Sequence, residues 1–525
     1  MSNLRWWTRN EILGVELRWL VRLSWAGQTY YLSTKQTEAA DPVSGNTETW
    51  LPAVDEFSWS EELDLFGLSP RSRSLDLTIR MPWVDVPERI MGGRDLHQCE
   101  VRLYRHIVGG SKTMPYLQGR VREYTYEAKG GAIELSVEEN PWDDAGNLTP
   151  EQARVSADTW PDASDEIEGE RYPIILGAPG VVGGSAIPAT PAYPVSPNEQ
   201  YVLIAGHRVE ADNVTVFQED ATPASDTAPV YTVTDGLGRL VSVIDINDTS
   251  LSYAEGDKYR IGWHDGAGKM HEGDSPVRSA GDVLRWAIRQ STAAWDLIGV
   301  EVSSRLLDQY TIDGAIVGSP DESLTPWDWL TAQLLPLLPV SIYGGPRGLS
   351  IHVWPLATDP LVSITSGADE VTRDSRVESE DRTRLLSLSS LRYGYNGEED
   401  AYTARVAAVS QSQDAIDGGT IERHLQLGRM RYGAGKTEED TTDIIYHAGT
   451  AGSVVSWRAQ LYGLPSFSVL YQLPQRFGWL RLGDQIQITD DEVGFSSHLA
   501  VIEAIEYLPS GRLEVGLRVS DALAS

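Results

Sequence analysis

The chain has 525 residues, a length that suggests three or four domains, and its 43 Lys and Arg against 76 Asp and Glu leave a formal charge of −33. Such a balance excludes a protein built to grip nucleic-acid phosphates or an anionic membrane surface, and 41 % hydrophobic content with 17 Trp and 22 Tyr excludes a disordered chain. One cysteine, Cys99, excludes an internal disulfide or a cluster of thiolate ligands, no apolar run approaches the ~18 residues of a membrane span, and the Met1–Trp7 stretch lacks a secretory apolar core, which reads as synthesis in a cytoplasm.

Residues 1–145 read as β-structure. Val15, Leu17, Trp19, Val21, Leu23 and Trp25 alternate with mostly polar neighbours, the period of a half-buried strand. Ala26-Gly27 offers a turn, and Gln28–Ser33 returns as the hairpin partner. Further alternating runs lie at Leu75–Met81, Val101–Tyr104, Gly119–Glu127 and Ile133–Val137. This density of strands predicts a barrel or sandwich. Residues 146–200 read as a connector: an acidic stretch over Asp158–Glu170, the glycines of Gly177–Gly184, then Pro188, Pro191, Pro194 and Pro197. Residues 201–270 carry five β-branched or aromatic runs, with Asp235-Gly236 as a tight-turn signal, and predict a small second β-domain.

Residues 275–380 change character. Ser279-Ala-Gly-Asp282 starts a helix whose Val283, Leu284, Ala287, Ile288, Ser291 and Trp295 share a face. Thr325-Pro326-Trp327-Asp328 starts a second, faced by Trp327, Leu330, Leu334 and Leu338 and ended by Pro336 and Pro339. Val340–Tyr343 and Leu349–Trp354 read as a hairpin, which makes this a compact α/β unit. Residues 385–525 return to β-structure, with a strand at Leu386–Tyr395, a strand, a turn and a second strand over Leu480–Ile488, strands at Leu499–Tyr507 and Leu513–Val519, and one helix over His447–Tyr462. The fold class read from these runs is multidomain and mainly β with one α/β unit.

No stretch carries recognisable reaction chemistry. Gly177–Gly184 lacks the Lys-Ser/Thr of a phosphate loop, and Gly183-Gly184-Ser185-Ala186-Ile187 fails the nucleophile-elbow pattern at its last position. His264-Asp265 with His271-Glu272, and His97 with Cys99 beside Asp95, match no metal-ligand spacing. The dense acids Glu61-Glu62-Asp64, Glu138-Glu139 and Asp490-Asp491-Glu492 could supply a carboxylate pair, but are expected in solvated loops and turns. Trp19, Trp25, Trp295 and Trp327 fall on apolar faces and read as core or interface residues rather than sugar platforms. No catalytic, metal or cofactor residue is assigned.

The order of units is specific. In the hairpin Leu23–Leu32, the strand Leu75–Met81, the joining segment Tyr172-Pro-Ile-Ile-Leu-Gly177, the helix pair with Trp327-Asp-Trp329-Leu330, and the closing Leu480-Arg-Leu-Gly483-Asp484-Gln-Ile486-Gln-Ile488 with Val501–Tyr507, the chain resembles the trimeric central hub of tailed-bacteriophage baseplates and tail tips. The resemblance implies two terminal β-barrel-like hub domains, 1–145 and 385–525, whose copies in a homotrimer make a pseudo-six-fold ring. That ring would join a six-fold tail tube to a three-fold tip and line the DNA exit channel. The implied partners are distal tail or tail-tube protein, tape-measure protein, and tip or fibre proteins; the implied location is the virion tail tip, assembled in the host bacterial cytoplasm. An acidic inner wall would repel DNA and keep it mobile. The family pattern assigns no role to residues 201–270. A tail-associated glycosidase or peptidoglycan hydrolase, or a receptor- or carbohydrate-binding tail protein, are the alternative readings.

Overall fold

The computed structural model describes residues 16–62, 73–110, 113–127, 131–139, 146–149, 152–219, 224–255, 259–264, 269–272, 275–277, 279–318, 323–345, 348–354, 359–368, 370–374, 378–379, 385–409, 436–463, 466–508 and 512–520. Val15, Asp64, Asp265 and the turn residues Pro346-Arg347 lie outside these.

The first strand, β1 (Leu17–Trp25), buries Trp19, Val21, Leu23 and Trp25 as its alternation predicts. Ala26 and Gly27 turn the chain with φ of 54° and 76°, the backbone that a two-residue hairpin needs. Strand β2 (Gln28–Ser33) returns, followed by β3 (Thr37–Ala40), β4 (Thr47–Pro52), β5 (Val54–Glu62), β6 (Ser74–Arg80), β7 (Glu100–Ile107), β8 (Thr113–Glu127) and β9 (Ala132–Glu139). Between β6 and β7 the short helix α1 (Val86–Met91), capped by Asp85, forms a lid. The lid is pinned where the Trp25 indole N–H donates to the Arg94 carbonyl at 2.8 Å.

A closed six-stranded barrel follows: β10 (Thr190–Ser196), β11 (Tyr201–Ala205), β12 (Asn213–Gln218), β13 (Ser225–Thr234), β14 (Leu240–Asp245) and β15 (Tyr259–Trp263). This corrects the expectation of an extended connector across 187–197, because β10 is a barrel strand despite Pro191 and Pro194. The ladder survives because its register shifts between Pro194 and Ser196, a bulge that accommodates a residue without an N–H.

Ser279 and Asp282 form the expected capping box on α2 (Ala280–Gln290), which is followed by α3 (Leu297–Ser304). The second expected helix starts at the Thr325 cap but is broken: α4 (Pro326–Trp329) widens to a π turn over Leu330–Leu334 and tightens to a 3₁₀ turn over Leu335–Leu337. Pro336 removes an N–H and crowds the preceding turn, which is what interrupts the helix. The hairpin β16 (Val340–Gly345) and β17 (Gly348–Val353) completes this unit.

The remaining strands divide in a way the sequence did not suggest. β18 (Ser363–Thr365), β19 (Thr372–Arg373) and β20 (Glu378–Ser379) join the C-terminal strands, whereas β21 (Leu386–Asn396), β22 (Ala401–Val409) and α5 (Ala448–Tyr462) share a core with α2 and the hairpin, and β23 (Lys436–Thr441) pairs with β21. The chain closes with β24 (Ser466–Leu473), β25 (Gln485–Asp490), β26 (Phe495–Tyr507) and β27 (Leu513–Ser520). The turn expected at Gly483-Asp484 leads into β25, but Leu480–Leu482, expected as a strand before it, forms none.

Both ends of the chain then merge. One 16-stranded sheet runs β19-β24-β27-β26-β5-β6-β9-β8-β7-β1-β2-β4-β3, with β18, β20 and β25 beside it. Its core is a single cluster drawn from both termini, from Trp19 to Val519.

Candidate assembly surface

The two ends of the chain meet at one joint. The last four residues of β26 pair antiparallel with the last four of β5: Ala504 with Glu62, Ile505 with Glu61, Glu506 with Ser60 and Tyr507 with Trp59. Ser58 donates to the Glu506 carboxylate across it at 2.7 Å. Behind the joint, Trp19, Phe57, Trp59, Tyr116 and Tyr507 form an aromatic box, with Trp19 edge-on to Phe57 at 5.0 Å and to Tyr507 at 5.1 Å. These geometries are the favourable ones for aromatic pairs.

A cation bolts the box shut. Arg105 of β7 is only 1 % exposed. Its guanidinium lies 5.1 Å from the Trp19 ring and 4.8 Å from the Tyr507 ring, and Nη1 donates to the Gly478 carbonyl at 3.3 Å and to the Tyr507 hydroxyl at 3.1 Å. The π faces and these acceptors stand in for the water the charge has lost.

Beside this box sits a buried charge cluster. Arg73 Nη2 donates to Glu61 at 2.7 Å, Nη1 to the Tyr116 carbonyl at 2.6 Å, and the Arg73 backbone N–H to Glu139 at 3.4 Å. The expectation of solvated loops for Glu61-Glu62 and Glu138-Glu139 is therefore corrected: all four lie on strands, and Glu61 and Glu139 face the core. Burial drives the Glu139 carboxyl up to about 7, with Arg73 pulling the other way and Glu61 pushing further. Burial raises Glu61 as well, against Arg73 and Arg481. The signal was present in the period of two, since Arg73 precedes Leu75 and Leu77 by that step, Glu61 follows Phe57 and Trp59, and Glu139 follows Leu135 and Val137. Three charged residues at core positions of neighbouring strands must meet.

The opposite face of the same sheet is wet and acidic. A trough of ≈ 400 Å³ crosses β5, β6, β9 and β8, bordered by Glu56, Asp76, Glu123 and Glu134 with Ser58, Thr78, Thr125 and Ser136 between them. Cross-strand register sets this pattern: Glu56 opposes Thr78, Thr78 opposes Glu134, and Asp76 opposes Ser136, so acids alternate with hydroxyls rather than with Lys or Arg. The row continues over the joint through Glu506, opposite Ser60 on one side and Glu514 on the other. Burial, together with a hydrogen bond to Asp374, pushes the Glu514 carboxyl up to about 7.

The other residues singled out in the sequence are not brought together. Trp19 and Trp25 are core, and Trp295 packs at 6.0 Å against the half-buried Trp327 with the rings tilted by 45°. Val181–Val182 and Ser185–Ala186 form a small hairpin around Gly183-Gly184. His97 faces Asp95 at 3.5 Å on the surface, and burial first, Asp95 second, raises the Cys99 thiol. His264 contacts Thr215 at 3.3 Å. Asp490 is buried against Tyr471 and Arg373 at 2.8 and 3.2 Å, whereas Asp491 is exposed. Among the described residues no group of three or more His, Cys, Asp or Glu could hold a metal ion, and no described helix is long and apolar enough to cross a membrane.

No protein-family model matches the chain, and no curated protein matches it. Among solved structures it is similar to a tail protein from Neisseria meningitidis MC58, at 9 % identity and a TM-score of 0.38 over 97 % of both chains. It is similar to the 43 kDa tail protein of prophage MuSo2 from Shewanella oneidensis, at 10 % identity and 0.38 over 96 % of this chain and 99 % of that one. It is also similar to a chain of the p2 virion baseplate in its activated conformation, at 9 % identity and 0.22 over 96 % and 98 %.

Proposed function

We propose that this chain is a structural virion protein, the central hub of a phage tail tip or baseplate. Three copies form a ring that joins a six-fold tail tube to a three-fold tip, and the wet face of the terminal sheet lines the channel through which DNA leaves. The observation that supports this reading is the β26–β5 joint, which sets strands from both ends of the chain side by side in one sheet; on the hub reading these supply two ring positions per subunit. The acidic trough supports the second half of the proposal, because carboxylates facing a lumen repel the duplex and leave it free to slide. The expected neighbours are tail-tube, tape-measure and tip or fibre proteins, which meet the ring at its two rims.

An enzymatic role is not proposed. Glu61 and Glu139 are the best carboxylate pair in the described residues, but a glycosidase needs its pair across a cleft open to sugar, and these two are buried around one arginine. A carbohydrate platform is not proposed either, because among the described tryptophans only Trp83 is exposed, while Trp19, Trp25, Trp50 and Trp59 are buried. The test is the mass of the purified full chain by native mass spectrometry, together with its position in imaged particles. Three copies at the tail tip are expected; a single copy at every concentration, absent from tails, would overturn the proposal.

A further inference from the structure

We infer that neighbouring copies join by edge pairing between the free half of β8, Arg122–Glu127, and the outer edge formed by β19 and β20 of the next copy. This inference rests on the ring reading above and names the surface that closes it.

The argument starts from one strand that outruns its neighbour. β8 is fifteen residues long. On one side it pairs with β9 as far as Glu127 opposite Ala132. On the other side β7 ends with Glu100 opposite Arg120, and the lid adds only the bonds between Val121 and the backbone of Gln98 and Cys99. Beyond Val121 no described strand pairs with that edge. Tyr124, Thr125 and Tyr126 there are strong strand formers, and a long unpaired edge of this kind is a template for another strand. At the far end of the same sheet, the outer edge of β24 carries only the two-residue ladders Thr372–Arg373 and Glu378–Ser379, and no described strand pairs beyond them.

The joint within the chain says which edges fit. It already mates a C-terminal strand with an N-terminal one, and it does so staggered. Only the ends of β26 and β5 overlap, so the N-terminal strands run on past Tyr507 toward Val54, Arg80 and Glu127. In a closed sheet the strands tilt and the stagger accumulates in one sense around the ring, so the next joint is expected to repeat the displacement. The free half of β8 lies on the side to which the step leads, so a neighbour's C-terminal edge displaced by the same amount falls beside Arg122–Glu127. Pairing of the free half of β8 with the β19–β20 edge of the next copy is head-to-tail, the kind of contact that generates a closed ring.

The test uses the full chain with Cys99→Ser, carrying one cysteine on each edge: Thr125→Cys or Glu127→Cys combined with Thr372→Cys or Glu378→Cys. Under mild oxidation at least one combination is expected to give a covalent ladder up to three chains, while each single variant gives none. A three-copy particle that no combination links would overturn the edge inference and leave the ring reading standing. A one-copy particle at every concentration would overturn both. In a second variant, Thr125→Pro, a folded chain is expected to lose the three-copy species at least tenfold in concentration dependence; an unchanged three-copy particle would count against the pairing.

Discussion

The terminal sheet and the middle barrel are built from the same alternating strands but end differently. The barrel of β10–β15 closes on itself, so every strand has two neighbours and no backbone edge is left. The terminal sheet has more than twice as many strands and stays open, although it collects its members from positions as distant as Leu17 and Ser520. Closure finishes a barrel as an independent body. An open sheet with a shared core is stable within the chain and still offers edges to others. The difference separates a part that is complete from a part whose chemistry asks for more strands.

The sharpest way to break that comparison is to attack the core that only the terminal sheet possesses. Arg73→Ala removes the cation that bonds Glu61 and offsets Glu139, leaving Arg481 as the opposing charge on Glu61. Breaking a buried ion pair from one side costs about 3–5 kcal/mol. The expected result in hydrogen exchange is loss of protection in 17–139 and 466–520 together, with 190–263 unchanged. Independent loss of the two ends would show that they do not share one cooperative core.

The second effect is pH-dependent. Glu139 has its folded-state carboxyl raised to about 7 from an ordinary 4.5, so between those values the folded state binds more protons than the unfolded one. Stability from this group is therefore greatest below about pH 4.5 and is lost as pH rises through 7, by on the order of 3 kcal/mol. Glu139→Gln keeps an acceptor for the Arg73 N–H and removes the charge. Denaturant titrations should find it more stable than the parent chain at pH 8 and indistinguishable at about pH 4, whereas an advantage over the parent that is the same at both would remove burial as the cause.

On the other side of the comparison, a barrel-only lesion should spare the sheet. A methyl group on Gly262 of β15 would sit 2.7 Å from the Ile187 carbonyl oxygen, a backbone atom that cannot swing away. Overpacking of this kind costs about 1–3 kcal/mol. Gly262→Ala is expected to lower protection in 190–263 and leave that of Leu75–Ile79 as it was.

Where these lesions fall also shows what the sequence made legible. The alternation of Leu17–Trp25 and of Leu513–Val519 carried the strands at both ends, and the Ser279 and Thr325 caps carried two helix starts. Periodicity is local, however, and says which face is buried but not against what. It could not show that β18–β20 leave the α/β unit for the C-terminal sheet, or that β21–β23 and α5 go the other way. Proline composition hid β10, because one bulge makes a strand of what reads as a linker. The Glu61–Arg73–Glu139 cluster is hidden for a different reason: charge ordinarily goes with exposure, although the step of two places all three inward.

The smallest effect on stability is expected where the acids face water, and there it is function that should move. Glu56, Asp76 and Glu134 are exposed across the trough, so neutralising them as Glu56→Gln, Asp76→Asn and Glu134→Gln should change folding by no more than about 0.5 kcal/mol each. Their lysine counterparts reverse three charges per copy. If the trough faces DNA, a charge-reversed assembly should retain a DNA duplex at low salt and release it as salt rises, the signature of phosphate contacts, while the parent assembly retains none at either. Equal release by both would place the acidic face away from the channel. The edges of the sheet could still join copies in that case, because pairing uses backbone groups and the trough uses side chains of the strands between.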